Sequence, residues 1–270
     1  MGPYRGWEGG DGMGLERRQR MMDTFLLRKQ LTTRELCGMF GVSVEVIRRD
    51  LSVLERAGFL RRVYGGAVLN EDKKMPDAMA PWSDRQVLHL REKQAVARAA
   101  VRLIPDHSTI ALDDGTTMME LARMLGVCKD LTIITNCLRT AHEISQHSNH
   151  TIYLVGGSVK KDELITSGFL ANEFLAHFSR IDLAIISADG FTIADGPTDH
   201  VLEMAMIKQI MVEKANRTFC VFDHSKFDVA GTYRSAAVRD IDTFIVDSGT
   251  RPEDLRALRA AARSVVVAEL

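Results

Sequence analysis

Several short apolar runs in the second half of the chain break off into residues that can bind a small polar molecule. The breaks read Asp113-Asp114-Gly115-Thr116-Thr117, Thr135-Asn136, Gly156-Gly157, Ser187-Ala188-Asp189-Gly190 and Asp223-His224-Ser225-Lys226. Gly115-Thr116-Thr117 opens a helix, so its free amides and hydroxyls can hold a phosphate with help from the helix dipole. Lys226, and Lys160 beyond the Gly156-Gly157 turn, can supply a compensating positive charge. Asp113, Asp189 and Glu203 can accept hydrogen bonds from sugar hydroxyls, and Asn136, Gly190 and Thr198 complete the candidate set. That inventory suits a hydroxylated, anionic small molecule. Any one of these loops could be a plain strand-to-helix turn; their recurrence along one rim is the stronger observation. His142, His147, His150 and His177 have no ligand spacing and read as surface or helix-packing residues, while His224 is placed to orient Lys226. No metal set, cofactor motif or catalytic constellation is read.

A second chemistry lies near the start. Thr32 to Gly66, TTRELCGMFGVSVEVIRRDLSVLERAGFLRRVYGG, carries adjacent arginines and then a basic hairpin. Thr32 and Glu35 stand in capping-box relation, and a helix from about Thr33 to Phe40 is expected to bury Leu36, Met39 and Phe40. Gly41 supplies the turn and Ser43 the next N-cap. In the second helix Val44, Ile47, Leu51 and Leu54 share one arc, whereas Glu45, Arg48, Arg49, Ser52 and Arg56 point away. Such a helix, closed by Gly58, suits the major groove, where arginine grips guanine or pairs with phosphate. Leu60–Tyr64 and Ala67–Leu69 flank Gly65-Gly66 as a two-stranded wing with a glycine turn. Arg61 and Arg62 would follow the phosphate backbone, with Tyr64 beside them.

These groups must be held by two domains. Residues 1–14 read as a disordered leader, 15–70 as a winged helix-turn-helix, 71–84 as a linker anchored by Trp82, and 85–270 as an α/β domain. A helix from about Arg85 to Leu103, with Val96, Ala99, Ala100 and Leu103 inward, leads into that domain. Its strands are expected at Ser108–Leu112, Leu131–Ile134, Thr151–Val155, Ile181–Ile186, Thr218–Phe222, Ile241–Val246 and Ser264–Val267. Nearly continuous apolar strands separated by helices indicate a parallel sheet covered on both faces. Open sheets of that kind bind ligands at the carboxyl ends of their strands, where the polar breaks fall.

The composition fits a globular protein of 270 residues, 46% hydrophobic and 26% charged. Charge is uneven. Residues 15–70 hold 11 lysines and arginines against 6 carboxylates, residues 71–270 hold 23 against 28, and the whole carries −1. A basic head on an acidic body directs the search for phosphate contacts to the head. No run has the length of a membrane span and no signal peptide is read, so a cytoplasmic protein is expected. Cys37, Cys128, Cys137 and Cys220 have no paired spacing and read as reduced, mostly buried thiols.

The chain resembles the DeoR-type transcriptional repressors from Leu15 to the C-terminus. The matching pieces are Val46-Ile47-Arg48-Arg49-Asp50-Leu51, Arg61-Arg62-Val63-Tyr64-Gly65-Gly66-Ala67, Asp113 to Thr117, Thr135-Asn136, Ala188-Asp189-Gly190 and Asp223-His224-Ser225-Lys226-Phe227. The resemblance implies a repressor that binds double-stranded operator DNA. It further implies a second domain like ribose-5-phosphate isomerase in fold, a phosphorylated sugar as inducer, and a homo-oligomer, dimer or tetramer. Val46 stands where the family has threonine, Asp114 where it has a small hydroxyl residue, and Pro197-Thr198-Asp199-His200 where it has a threonine pair. An added carboxylate at Asp114 is unfavourable beside a phosphate unless it is paired or turned away.

Two other readings compete. A sugar-phosphate isomerase with a DNA-binding appendage would cast Glu203 as base with Lys208 or Lys226 as the polarising cation. Against it, Ile186 and Gly190 stand where that enzyme has acidic residues, so binding without turnover is expected. A winged helix serving as a protein-binding module is opposed by Arg48, Arg49, Arg61 and Arg62.

Overall fold

A computed structural model describes residues 17, 18, 20, 21, 24, 25, 28–56, 60–69 and 82–270. The leader at 1–14, the linker up to residue 81 and the helix stop at Gly58 lie outside the described residues. The chain divides into two compact units, 1–90 and 91–270.

In the first unit, strand β1 (Gln30–Thr32) runs into helices α1 (Thr33–Phe40) and α2 (Val44–Arg56), then strands β2 (Leu60–Val63) and β3 (Gly66–Leu69) and the short helix α3 (Trp82–Arg85). The capping box forms: the Glu35 amide donates to Thr32 Oγ1 at 3.2 Å and the Thr32 amide to Glu35 Oε2 at 2.8 Å. Gly41, at φ 65°, closes α1 in the left-handed region. Leu36 is buried as expected, but Met39 is exposed and Cys37 joins Phe40 on the packed side. At 100° per residue, Leu36, Cys37 and Phe40 span one arc and Met39 falls outside it. Ile47, Leu51 and Leu54 are fully buried and anchor α2, each contributing about 1.5–3 kcal/mol of burial. Val44, expected on that arc, is 39% exposed at the helix start.

The wing differs from its expected form in two ways. Its turn is Tyr64-Gly65, because Val63 pairs with Gly66 and the latter is already in β3. It also gains a third strand, giving the antiparallel order β1-β3-β2. Gly66 is required by that third strand, since a Cβ there would lie 2.2 Å from the Leu31 carbonyl oxygen. Trp82 is buried on α3 with the Arg85 guanidinium over its ring.

The second unit is built on seven parallel strands. Helix α4 (Leu90–Val101) leads in, followed by β4 (Thr109–Leu112), α5 (Thr116–Ala122), β5 (Thr132–Thr135), α6 (Leu138–His147) and β6 (Thr151–Leu154). A hairpin, β7 (Ser158–Lys160) and β8 (Ile165–Ser167), precedes α7 (Phe169–Ala176) and β9 (Leu183–Ile186). Then come β10 (Gly190–Thr192), β11 (Gly196–Asp199), α8 (Leu202–Lys214), β12 (Thr218–Val221), β13 (Tyr233–Arg234), β14 (Thr243–Asp247), α9 (Pro252–Ala261) and β15 (Val265–Ala268). The lead-in helix starts at Leu90 rather than Arg85, after His89 at φ 49°, and Leu103 beyond its end is 39% exposed.

The large sheet has the order β15-β14-β12-β9-β4-β5-β6, so each of the seven expected strands takes its place in it. From β4 the chain winds outward to β5 and β6, then returns to place β9 on the other side of β4. Order reverses between β4 and β9, and the crevice outside their carboxyl ends is where such sheets bind ligands. A small antiparallel sheet, β10-β11-β13, stands beside that end. Cys128, Cys137 and Cys220 are buried free thiols and Cys37 is half-buried.

Candidate functional site

On α2, Arg48 and Arg49 are exposed on the face opposite Ile47, Leu51 and Leu54, with Ser43 and Glu45 exposed at its start. Ser43 is a weak cap, 3.5 Å from the Val46 amide, and hydrogen bonds from the Glu45 amide and the Ser43 hydroxyl hold the Glu45 carboxyl below its usual range. Ser52 is half-buried and donates its hydroxyl to the Arg48 carbonyl at 2.9 Å. Arg61 and Tyr64 are exposed on the wing. Arg62 is partly committed: its Nε donates to the Gly66 carbonyl at 3.3 Å and its amide to Glu55 at 3.1 Å. Asp50, on the buried side of α2, is paired by Arg17 at 2.6 Å and Arg18 at 3.2 Å. Those two arginines therefore brace α2.

In the second unit, Asp113 leaves β4 at the switch point with 0% exposure. Its Oδ2 accepts from the Ser187 amide at 3.0 Å and from Lys208 at 3.1 Å. The Ser187 hydroxyl lies 2.9 Å from both that oxygen and the Asp114 carbonyl. Lys208 is 2% exposed, and its ammonium also donates to Asp199 at 2.6 Å and to the Ser187 carbonyl at 3.1 Å. Three N–H groups meet three acceptors. Asp199 further accepts the hydroxyl of buried Ser235. Asn136, after β5, donates its amide to the Thr166 carbonyl at 3.2 Å. Asp113 Oδ1 and Asn136 Oδ1 are buried and have no partner among the described residues.

Charge in this cluster is lopsided. Burial pushes the Asp114 carboxyl well up, and the neighbouring Asp113 charge adds to it. Burial likewise pushes Asp199 up to about 6, against the pull of Lys208. Burial alone would lower Lys208, but Asp113 and Asp199 outweigh it and hold the ammonium charged.

The remaining candidates are placed variously. Gly115, at φ 117°, precedes α5 without a side-chain cap, and Thr116 and Thr117 are buried in its first turn. Asp189 is half-buried and accepts from the His200 amide at 3.1 Å. Thr198 is committed within the small sheet, donating to the Gly190 carbonyl at 3.0 Å and accepting from the Gly231 amide at 2.8 Å. Gly190 is packed so that a Cβ would lie 2.4 Å from the Val229 carbonyl oxygen. Lys160 and Glu203 are exposed and Lys226 is half-buried; none of the three hydrogen-bonds to the cluster among the described residues. His224 pairs with Asp247 at 2.9 Å rather than orienting Lys226, and that hydrogen bond raises its pKa.

Comparison with known proteins decides between the readings. Residues 17–73 match the DeoR-like helix-turn-helix domain and residues 88–248 match the DeoR C-terminal sensor domain. The chain belongs to the DeoR family of transcriptional regulators. The HTH-type transcriptional regulator GolR of Listeria innocua is 31% identical over 94% of this chain and 98% of its own length. The HTH-type transcriptional repressor GlcR of Bacillus subtilis is 31% identical over 86% and 88%. Among solved structures, ribose 5-phosphate isomerase A from Methanocaldococcus jannaschii aligns over 52% of this chain and 55% of that one, with 18% identity and a TM-score of 0.38.

Within this DeoR-family chain, Lys208, Asp199 and Ser235 are the site-region residues that sequence reasoning did not assemble. A signal existed for Lys208: it shares a helical stripe with Met204, Ile207 and Met211, all buried. A lysine on such a stripe needs a buried partner.

Proposed function

We propose that this protein is a repressor of a sugar-metabolism operon, controlled by a phosphorylated sugar bound at the β4/β9 switch point. The observation that carries the DNA half is the exposed Arg48-Arg49 pair on a helix whose opposite face is fully buried. Helix α2 enters the major groove, Arg48 and Arg49 meet base edges or phosphates, and Arg61 follows the backbone. The protein acts in the cytoplasm, where the operator is, as a homo-oligomer matched to a symmetric site.

Two buried acceptors without donors among the described residues, Asp113 Oδ1 and Asn136 Oδ1, favour a ligand that brings hydroxyl groups. The surplus of carboxylates over Lys208 repels a phosphate at that spot. The polyol end therefore enters beside Asp113, and the phosphate lies toward the first turn of α5. The ligand is bound without turnover, because of the two cations an isomerase could use, Lys208 is already spent on Asp113 and Asp199 and Lys226 makes no hydrogen bond to the cluster among the described residues.

Fluorescence anisotropy on duplex DNA from upstream of an adjacent sugar operon tests the proposal. Arg48→Ala with Arg49→Ala should weaken binding at least tenfold and flatten its salt dependence. Unchanged affinity would remove α2 from the interface. Conversion of ribose-5-phosphate by the pure protein would refute the non-catalytic reading.

A further inference from the structure

Four carboxylates meet one ammonium at the carboxyl ends of β4 and β9. Asp113, Asp114 and Asp199 are buried, at 0%, 6% and 2% exposure, and Asp189 is half-buried on the same rim. Against them stands Lys208, whose N–H groups are taken by Asp113 Oδ2, Asp199 Oδ1 and the Ser187 carbonyl. Lys208 thus reaches two of the four. Asp114 and Asp189 have no lysine or arginine within salt-bridge distance among the described residues. Buried charge is tolerated when it is paired, so the surplus asks for a further cation.

A second observation lies beside the acids. Register sets Leu112 of β4 against Thr135 of β5, so the residues that follow, Asp113 and Asn136, leave the sheet side by side. Asn136 is fully buried and spends its Nδ2 on the Thr166 carbonyl at 3.2 Å. Its Oδ1 and Asp113 Oδ1 are both buried acceptors with no donor among the described residues. Asp113 turns its other oxygen to Lys208 and the Ser187 amide, so Oδ1 is the side that the lysine does not serve. Burial, and after it the Asp113 charge, hold the Asp114 carboxyl above its usual range, as befits an acid short of a cation.

Hydroxyls and amines both donate, but only one answers the charge. A sugar hydroxyl brings a single proton and leaves the surplus of carboxylates as it was. A protonated amine brings three N–H donors and a positive charge in the same small volume. A divalent cation would double the repulsion with the Lys208 ammonium on the same carboxylate. Asp114 and Asp199 also fall where this chain departs from the DeoR pattern, so the surplus is its own.

We propose that the effector is an aminated sugar phosphate, with its ammonium between Asp113 and Asn136 and its phosphate away from the four carboxylates. This rests on the sugar-phosphate reading above and narrows it. Calorimetric titration of the full chain with matched probes is the test: glucosamine-6-phosphate against glucose-6-phosphate, and galactosamine-6-phosphate against galactose-6-phosphate. Each pair differs in an amine for a hydroxyl. The amine should be preferred by roughly tenfold or more, the difference between a charged and a neutral hydrogen bond. Asp114→Asn, isosteric and uncharged, should remove most of that preference by weakening the amine, and Asp114→Ser serves if the first variant does not fold. Equal affinity within each pair, or a hydroxyl member that binds more tightly, would overturn the proposal on wild-type protein alone and leave the sugar-phosphate reading standing. A folded Asp114 variant with its full preference would overturn it too. Stabilisation by magnesium chloride alone, lost in the Asp114 variant, would assign the surplus to an inorganic cation instead of an amine. If none of the four probes nor ribose-5-phosphate binds, the proposal and the reading beneath it both fall.

Discussion

Lys208 holds the crevice at the β4/β9 switch point together at the scale of single residues. Its ammonium is the cation among the hydrogen-bonded groups around Asp113 and Asp199, and removing one partner of a buried pair leaves the other charges unpaired. Lys208→Met should therefore cost about 3–5 kcal/mol, seen as a lower urea midpoint for unfolding of the second unit. Asp199→Asn added to it should recover part of the loss, because one stranded carboxylate is gone. A midpoint unmoved by Lys208→Met would mean that the ammonium is not sequestered. The same residues give a pH dependence. The folded-state pKa of Asp199, about 6, lies above its ordinary 3.8, so the folded chain holds this proton more tightly than the unfolded chain does. That contribution is complete below about pH 4 and is lost as pH rises through 6. Between those limits wild type should lose stability relative to Asp199→Asn, measured as the difference in urea midpoints. A constant difference would show that Asp199 titrates normally.

At the scale of elements, the wing depends on a glycine whose role is easily misassigned. Gly66 looks like half of a Gly-Gly turn, yet it sits in β3 because β1 passes so close that a methyl group would strike the Leu31 carbonyl. Gly66→Ala should destabilise the first unit by about 1–3 kcal/mol through overpacking, read by thermal melting. A melt like wild type would mean that β1 is not bound there. This case shows what was legible and what was not. The large sheet was visible because its strands are continuous runs such as Leu183-Ala184-Ile185-Ile186, which only a strand buried on both faces tolerates. Strand β1 and the β11-β13 pair escaped because they are short and formed by distant pairing, and the β7-β8 and β10-β11 hairpins because their strands are only three or four residues long. Gly196-Pro197-Thr198-Asp199 reads locally as a turn, and only β10 and β13 make it a strand. Asp113, Asn136 and Asp189 were placed by their position after a strand, a local signal. The Lys208–Asp199–Ser235 chain was invisible because three separate elements bring it together.

For the whole molecule, a basic head of +5 over residues 15–70 and an acidic remainder direct the attraction for a DNA backbone to the first unit. Regulation then requires that occupancy of one unit change the equilibrium of the other, and thermodynamic linkage makes that requirement quantitative. If the effector alters operator affinity by some factor, operator DNA must alter effector affinity by the same factor. Couplings of this kind run to about 1–3 kcal/mol, or roughly 5–150-fold. Calorimetric titration of a sugar phosphate into the free protein and into the protein saturated with operator gives one factor, and anisotropy with and without the sugar phosphate gives the other. The two should agree. At about 100 times its dissociation constant for the DNA-free protein the ligand should also stabilise the second unit of that protein by about 2.7 kcal/mol. A ligand that gives this stabilisation while both coupling factors stay at unity would be bound but not transmitted. The crevice would then be a binding site without control over the arginines of α2.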